Sequence, residues 1–374
     1  MKHRTLIIIA LILLVVAAYL FAVGFYKIPV YKDAPVSRPD AFGLYQYRGA
    51  IHIHTLYSKD SRQTVETVMD AAKINNLDFV IITDHNDIRS KSHEGEKDGL
   101  LLISGAEFSA APGHFLALGV TRVLDSNERT YSDYFELSRK SGGLTIVSHP
   151  FNGRNPWTAL EKGGFDGVEV INLKVILEET FHSRPWLIIP TLLDYSINPG
   201  YALLLIYSRP SAAIAFLDGT RSKMSITCGV DTHGFPSSSF LLGQCVNHIL
   251  SNEPMNGDFR HDSRMILDSI KRGKNFIAMD GFAGADDFSF FCESSTDGAR
   301  TLKMTMAGAK WADKAGAGVF QKGVLIGSCP DLSKECAIKV GNPGAARVEV
   351  TLEVPSLLYG TQKVSWIHAM ACGE

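Results

Sequence analysis

From Arg48 onward the chain is dominated by short apolar runs that end on polar or small residues. "GAIHIH", "DFVIITDH", "LLLISGAEFS", "HFLALGV", "GLTIVSHP", "GVEVIN" and "MSITCGVDTH" each read as a strand. Between several of them the apolar positions recur at helical spacing. Thr64 predicts an N-cap for a helix through about Asn75, with Val65, Val68, Met69 and Ala72 inward and Glu66 near its positive end. Tyr131 to Ser141 is a second stretch of this kind. Strands alternating with helices predict an α/β protein with a mostly parallel sheet or barrel. From about Phe290 the texture changes. "RTLKMTMAG", "GVLIG", "CAIKVG" and "ARVEVTLEV" alternate over short distances and are parted by Gly, Asn and Pro, which predicts a small all-β domain.

The N-terminus carries a different pattern. Leu6 to Phe25, "LIIIALILLVVAAYLFAVGF", is twenty residues without a charge, preceded by Lys2 and Arg4. A helix of that length spans the roughly 30 Å hydrocarbon layer of a bilayer. A retained anchor is favoured over a cleaved signal peptide with a site after Ala18 or Ala22, because the apolar core of a signal peptide is usually about 7–15 residues. The positive flank predicts a cytoplasmic N-terminus and an extracytoplasmic body, although Lys27 and Lys32 reduce the charge asymmetry. The chain is thus expected to divide into a stub and transmembrane anchor (1–26), a linker with Pro29, Pro35 and Pro39 (27–47), an α/β domain (48–290) and a β-rich domain (291–374). Trp186 to Tyr207 is also apolar, but Pro190, Asp194, Asn198 and Pro199 interrupt it; buried helices joined by a turn are expected there, not a second span.

Composition narrows the partners. The 374 residues are 45% hydrophobic and 20% charged with a net charge of −2, which describes an ordinary globular protein. No dense run of Lys and Arg offers a nucleic-acid surface, so a nucleic-acid partner is not expected. Six cysteines are too scattered to read as a disulfide scaffold. Cys329 and Cys336, seven apart, either bridge in an oxidising compartment or remain two thiols.

The polar residues at the strand ends carry the chemistry. In a strand, residues i and i+2 point the same way, so His52 and His54 present both imidazoles to one side. His85 follows Asp84 at the end of "FVIIT", Glu107 ends "LLLISGA", and His149 follows "LTIVS". Asp231 and His233 follow "MSITCGV", while His114 opens "HFLALG". In a (β/α) barrel such ends converge on one face. Buried without partners, so many imidazoles and carboxylates would be costly, and divalent cations satisfy both. A nitrogen and oxygen donor set without thiolate suits Zn, Mn or Fe in a catalytic role.

In its combination of "HIHT", Asp60 in "SKDS", "TDHN", "GAEFS", "GHFLALG", "SHP" and "VDTH", in this order over Arg48 to Gly234, the chain resembles the polymerase and histidinol phosphatase (PHP) superfamily of metal-dependent hydrolases. "NLDFVIITDHN" and "NPGYALLLIYSRP" look closest to the branch of carbaryl-type hydrolases, whose members tend to carry a C-terminal β domain. The resemblance implies a distorted seven-stranded (β/α) barrel holding two or three divalent metal ions. It implies that His52, His54, Glu107 and Asp231 hold one ion, that Asp60, His85 and His233 hold a second, and that Glu107 bridges to a third completed by His114 and His149. Asp60 stands where some members have histidine.

The expected function is therefore a membrane-anchored metal-dependent hydrolase acting on a small molecule, foremost a phosphate ester. Hydrolysis of a carboxylic ester, amide or carbamate at the same metals is the second expectation, and a non-catalytic, metal-dependent surface module the third. Asp84 is a candidate to orient His85 or move a proton, with strand-end capping as its simpler role. Arg154, five residues past His149, is a candidate to grip a phosphate or carboxylate, with a solvated arginine as the simpler reading. Asn172 is expected at the same mouth or in a turn.

Overall fold

The computed structural model describes residues 2–25, 39–123, 130–220, 224–296, 298–309, 312–341, 344–356 and 360–373. Helix α1 (Lys2–Phe25) is followed by β1 (Tyr45–Ile53), α2 (Val65–Ile74) and β2 (Phe79–His85). Next come β3 (Gly95–Lys97), β4 (Leu100–Ala110), β5 (Gly113–Leu118), α3 (Tyr131–Lys140), β6 (Leu144–Val147) and β7 (Gly167–Asn172). Helices α4 (Leu173–Ser183), α5 (Ile188–Ile197), α6 (Pro199–Ile206) and α7 (Ser211–Gly219) then lead to β8 (Ser225–Thr232). Strands β1, β2, β4, β5, β6, β7 and β8 pair in that order, and β8 pairs back onto β1 to close a seven-stranded barrel. The expected distorted (β/α) barrel is what forms. Its distortion has a plain source: the β4–β5 hairpin turns β5 antiparallel to both neighbours, while the other pairings are parallel.

Two apolar layers hold the barrel. Ile51, Phe79, Ile81, Leu101, Ile103, Leu116 and Ile146 fill its interior. Val80, Ile82, Leu102, Phe115 and Val147 belong instead to the large core shared with the helices and the C-terminal strands. Helix α2 forms where its pattern predicts: Thr67 N–H donates to the Thr64 hydroxyl at 3.2 Å, and Val65, Val68 and Ala72 are buried together with Ala71, while Met69 is half-buried against the same core. After α8 (Ser238–Leu241) and β9 (Val246–Ser251), helix α9 (Phe259–Lys271) joins Ile266, Leu267 and Ile270 to the interior cluster, beside the residues that begin β2, β4 and β6. The opposite end, where β2, β4 and β8 finish, is left for polar side chains.

Beyond the barrel, β9 pairs antiparallel with the first half of β1, and β10 (Asn275–Ala278) extends that sheet. Then β11 (Ser289–Ser294), β12 (Arg300–Thr305), β13 (Ala315–Gln321), β14 (Val324–Cys329), β15 (Cys336–Val340), β16 (Ala346–Ser356) and β17 (Gly360–Ala371) follow. Strands β14, β13, β16 and β17 continue the sheet from β10, and β11, β12 and β15 form a separate three-stranded sheet. The C-terminal region is thus all-β, as its texture predicts.

Some expectations change. The cysteines form three bridges, Cys228–Cys245, Cys292–Cys372 and Cys329–Cys336, and none is free. Cys292 and Cys372, 80 residues apart, meet because β11 and the end of β17 lie at one corner, a pairing that spacing alone hides. Helix α6 is buried from Tyr201 to Ile206, whereas α5 leaves Ile189, Leu192, Leu193 and Ile197 exposed, so only one of the two helices expected to be buried is so. The linker expected over 27–47 lies outside the described residues as far as 38, and Tyr45 to Tyr47 already belong to β1. Residues His3–Phe25 form a helix long and apolar enough to cross a membrane.

Candidate metal centre

Glu107 stands at the middle of the polar end of the barrel. Its Oε2 lies 3.1 Å from His52 Nε2, 3.3 Å from His54 Nε2 and 3.2 Å from His85 Nδ1. Its Oε1 lies 3.2 Å from both His114 Nδ1 and His149 Nε2. Asp231 Oδ1 faces the same two imidazoles, 3.7 Å from His52 Nε2 and 3.4 Å from His54 Nε2. At the outer rim, Asp60 Oδ2 is 3.1 Å from His233 Nε2 and 3.4 Å from His85 Nε2. All nine residues singled out in the sequence as ligands therefore meet at one mouth.

The backbone that brings them there is irregular. Interior and exterior residues should alternate along β1, yet Ile51 lies in the interior cluster and Ile53 in the exterior one. The change of parity occurs at His52, which has φ 67° and sits where the register with β2 and β8 shifts. The bulge turns His52 and His54 both inward. His149 at φ 31° and Asp231 at φ 52° are also in the left-handed region, and such strain in non-glycine residues concentrates at functional sites. His114 reaches the mouth by another route: β5 runs backwards, so its beginning, not its end, lies beside Glu107.

Further groups fix the cluster. Glu169 Oε1 is 2.7 Å from His52 Nδ1, and its Oε2 accepts from His149 N–H at 2.8 Å and from Asn172 Nδ2 at 3.1 Å. Asn172 also donates to Asp231 Oδ2 at 3.2 Å and accepts from Val175 N–H, so it caps α4 and braces the site together. The Ser58 hydroxyl is 3.1 Å from His54 Nδ1, accepts from His85 N–H at 2.9 Å and donates to Asp84 Oδ1 at 2.9 Å. Asp84 is buried, accepts further from Thr55 N–H, the Thr55 hydroxyl and Ser58 N–H, and reaches no imidazole directly. Arg154 is exposed on the loop after His149, and its side chain makes no contact with the cluster among the described residues. Sequence reasoning missed Glu169 and Lys174. The signal for Glu169 was a lone carboxylate inside the apolar strand "GVEVIN", where burial demands a partner. Lys174 Nζ lies 3.5 Å from Asp231 Oδ1.

Electrostatics favours cations. Burial pushes the Glu107 carboxyl up, but His52, His114 and His149 outweigh it and hold it well below the usual range. Burial works likewise on Asp231, and His52, His54 and Lys174 bring it below its ordinary value. For His52 burial pulls down, yet Glu169, Glu107 and Asp231 raise it well above the normal imidazole value. Burial, with His54 beside it, lowers His85 to about 4 against the pull of Glu107. Glu107 and Asp231 are thus held ionised, and the raised His52 offsets their charge. His52 Nε2 and His54 Nε2 are buried without a hydrogen-bond partner among the described residues, although carboxylate oxygens crowd them. Three sets of donor atoms lie close enough to share an ion: His52, His54 and Glu107; His54, His85 and His233; Glu107, His114 and His149. Cations there answer both the charge and the orphaned nitrogens.

Residues 50–170 match the PHP domain family. A stretch of 137 residues, 33% of the chain, is 28% identical to an uncharacterized protein of Methanocaldococcus jannaschii and covers 80% of it. A two-domain protein of Bacteroides vulgatus containing a predicted PHP-like metal-dependent phosphoesterase is similar over 90% of this chain and 99% of its own, at 16% identity and a TM-score of 0.42. A candidate metal-dependent phosphoesterase of Bifidobacterium adolescentis is similar over 57% of this chain and 94% of its own, at 15% identity and a TM-score of 0.30.

Proposed function

Since this chain carries a PHP domain, we propose that it is a metal-dependent phosphoesterase working at the mouth of its barrel. The observation that carries this reading is the convergence of five imidazoles on the two oxygens of Glu107, with the buried Nε2 atoms of His52 and His54 left without a hydrogen-bond partner among the described residues. His52, His54, Asp231 and Glu107 would hold one divalent ion; Asp60, His85 and His233 a second; Glu107, His114 and His149 a third. Zinc, manganese and iron all suit such donors. Ions there would supply the positive charge that acidifies water and offsets negative charge developing on phosphate oxygens.

The chain's own residues do the rest. Glu169 and Ser58 fix the rings of His52 and His54, so the donors are positioned before substrate arrives. Lys174 is 39% exposed at the edge of the cluster and can hold an anionic ester oxygen. Asp84 acts as a positioning residue through Ser58. The apolar helix α1 anchors the protein in the membrane, Lys2 and Arg4 set a cytoplasmic N-terminus, and three disulfides support an oxidising, extracytoplasmic setting for the body.

The test is the purified full chain, assayed for bound metal and against p-nitrophenyl phosphate, a phosphodiester, a carboxylic ester and an anilide. Two or three metal equivalents with phosphate-ester turnover are expected. Turnover of carbonyl substrates alone would replace this reading with that of a carboxylic ester or amide hydrolase.

A further inference from the structure

A cavity of about 260 Å³ opens beside the metal-binding residues and runs between α4, α5 and α6. Asp231, His233 and Lys174 line one end. The remainder is mostly apolar, with Leu177 and Phe181 from α4, Leu192 from α5, and Leu203 and Ile206 from α6, while Glu178, Thr191 and Tyr195 also border it. Such a wall suits a phosphate ester that carries a hydrocarbon chain. We propose that the substrate is a membrane lipid with a phosphate-ester head, whose hydrocarbon chain occupies this cavity while the head lies against Lys174 and the cluster. The inference rests on the phosphoesterase reading and names the class of molecule that the same site takes.

The placement of α1 supports a lipid. Its last turns dock on the helices that build the cavity: the Tyr19 hydroxyl donates to Asp194 Oδ2 of α5 at 2.9 Å, and Asn198, which caps α6, donates to the Val23 carbonyl at 3.1 Å. Val23 is fully buried there, although the rest of the apolar helix is almost wholly exposed. The outer face of α5 shows why a bilayer would be near. Ile189 is 70% exposed, and Leu192, Leu193 and Ile197 are exposed beside it, with Trp186 just ahead and Phe235 on the cavity's other wall. Contiguous exposed apolar side chains at the foot of a membrane-spanning helix fit the acyl region of a leaflet, with tryptophan at its boundary. Leu192 belongs to both the outer face and the cavity, so a chain can pass from the bilayer to the cluster without crossing water.

The experiment uses the full chain in nanodiscs of digalactosyldiacylglycerol, a bilayer lipid that carries no phosphate. Binding of n-alkyl phosphonates from ethyl to hexyl is measured by calorimetry. A filled apolar cavity gains about fourfold in affinity per methylene, so the series should rise on the order of a hundredfold. Leu192→Glu, at a partly exposed position that tolerates charge, and Ala202→Phe, which fills the cavity, should each flatten it at least tenfold. An affinity independent of chain length, or a slope that neither variant changes, would overturn the proposal. The phosphoesterase reading is judged separately from p-nitrophenyl phosphate. Its turnover alongside a flat series removes the lipid and leaves the phosphoesterase. A steep series without cleavage of p-nitrophenyl phosphate or of phosphatidic acid in the same discs overturns both the lipid as substrate and the phosphoesterase, and leaves the cavity a binding site alone.

Discussion

Glu169 Oε1 lies 2.7 Å from His52 Nδ1, and neither side chain is reached by solvent. That contact selects the tautomer whose Nε2 is free to give its lone pair to an ion, and it makes the ring a stronger donor. Replacing Glu169 by Gln keeps the size and one hydrogen bond but removes the charge. Glu169→Gln should weaken metal affinity by about 10–100-fold, as outer groups behind metal-binding imidazoles generally do. Titration of the metal-free protein with Mn²⁺ or Zn²⁺ checks this; an unchanged dissociation constant would mean that Glu169 only fills space.

Glu107 offers a sharper case, because both of its oxygens face imidazoles of different ion-binding sets. Glu107→Gln leaves a single good acceptor where two anionic oxygens stood. The variant should lose at least one metal equivalent, and kcat should fall on the order of a hundredfold or more, since ions stabilise several kcal/mol of transition-state charge. Elemental analysis of purified variant reads the first effect. Full metal retention would show that Glu107 does not bridge.

Much of this centre was legible from residue order alone, but for partly different reasons. His52 and His54 look paired because i and i+2 share a face in a regular strand, yet in a regular strand carrying Ile51 inward both would have pointed outward. The bulge at His52, with φ 67°, is what turns them in, and histidine's modest preference for the left-handed region is too weak to announce it from sequence. His114 fitted the pattern of polar residues at strand ends only because β5 runs against its neighbours. Glu169 and Lys174 escaped notice, as their roles depend on side chains far away in the chain. The exposed face of α5 was equally hidden: its apolar sequence reads as core unless one knows that α1 ends beside it.

Ser58 and Asp84 test whether a residue next to the centre moves protons or merely holds others in place. Asp84 accepts four hydrogen bonds from Thr55 and Ser58, and Ser58 alone touches His54 and the His85 backbone. Asp84→Asn turns part of that acceptor set into donors and should cost on the order of 2 kcal/mol in stability. It should weaken metal binding while leaving the pH profile of kcat in place. A displaced limb of that profile would instead assign Asp84 a proton-transfer role.

Metal binding should also be visible in stability. The barrel has its own apolar interior, so removing ions with EDTA should leave a folded protein with a lower melting temperature. Restoring Mn²⁺ or Zn²⁺ to about a hundred times its dissociation constant stabilises the native state by about 2.7 kcal/mol per site. Calorimetric scans with and without EDTA should differ accordingly. Coincident scans, with metal shown to be bound in one of them, would mean that the unfolded chain binds it as well.

A separate prediction concerns acid. Arg209, which precedes α7, donates to Glu349 Oε2 on β16 at 2.6 Å, and Arg347 joins Glu349 at 2.8 Å to Asp218 of α7 at 2.8 Å. Burial pushes the Glu349 carboxyl up, but its bonds from Arg209, Ser365 and Arg347 and the nearby His368 outweigh this and bring it from 4.5 down to about 2. A folded-state pKa below the unfolded one gives stability that is complete above pH 4.5 and disappears as the pH falls through about 2. The shift corresponds to on the order of 3 kcal/mol. Glu349→Gln should therefore be less stable than wild type at pH 6, and the gap between them should narrow steadily below pH 4.5. Denaturant unfolding of both proteins from pH 6 down to pH 2.5 measures that gap. A gap that stays constant across the range would show that Glu349 is held by packing, and that the arginines on either side contribute no charge-dependent stability to the contact between barrel helices and C-terminal strands.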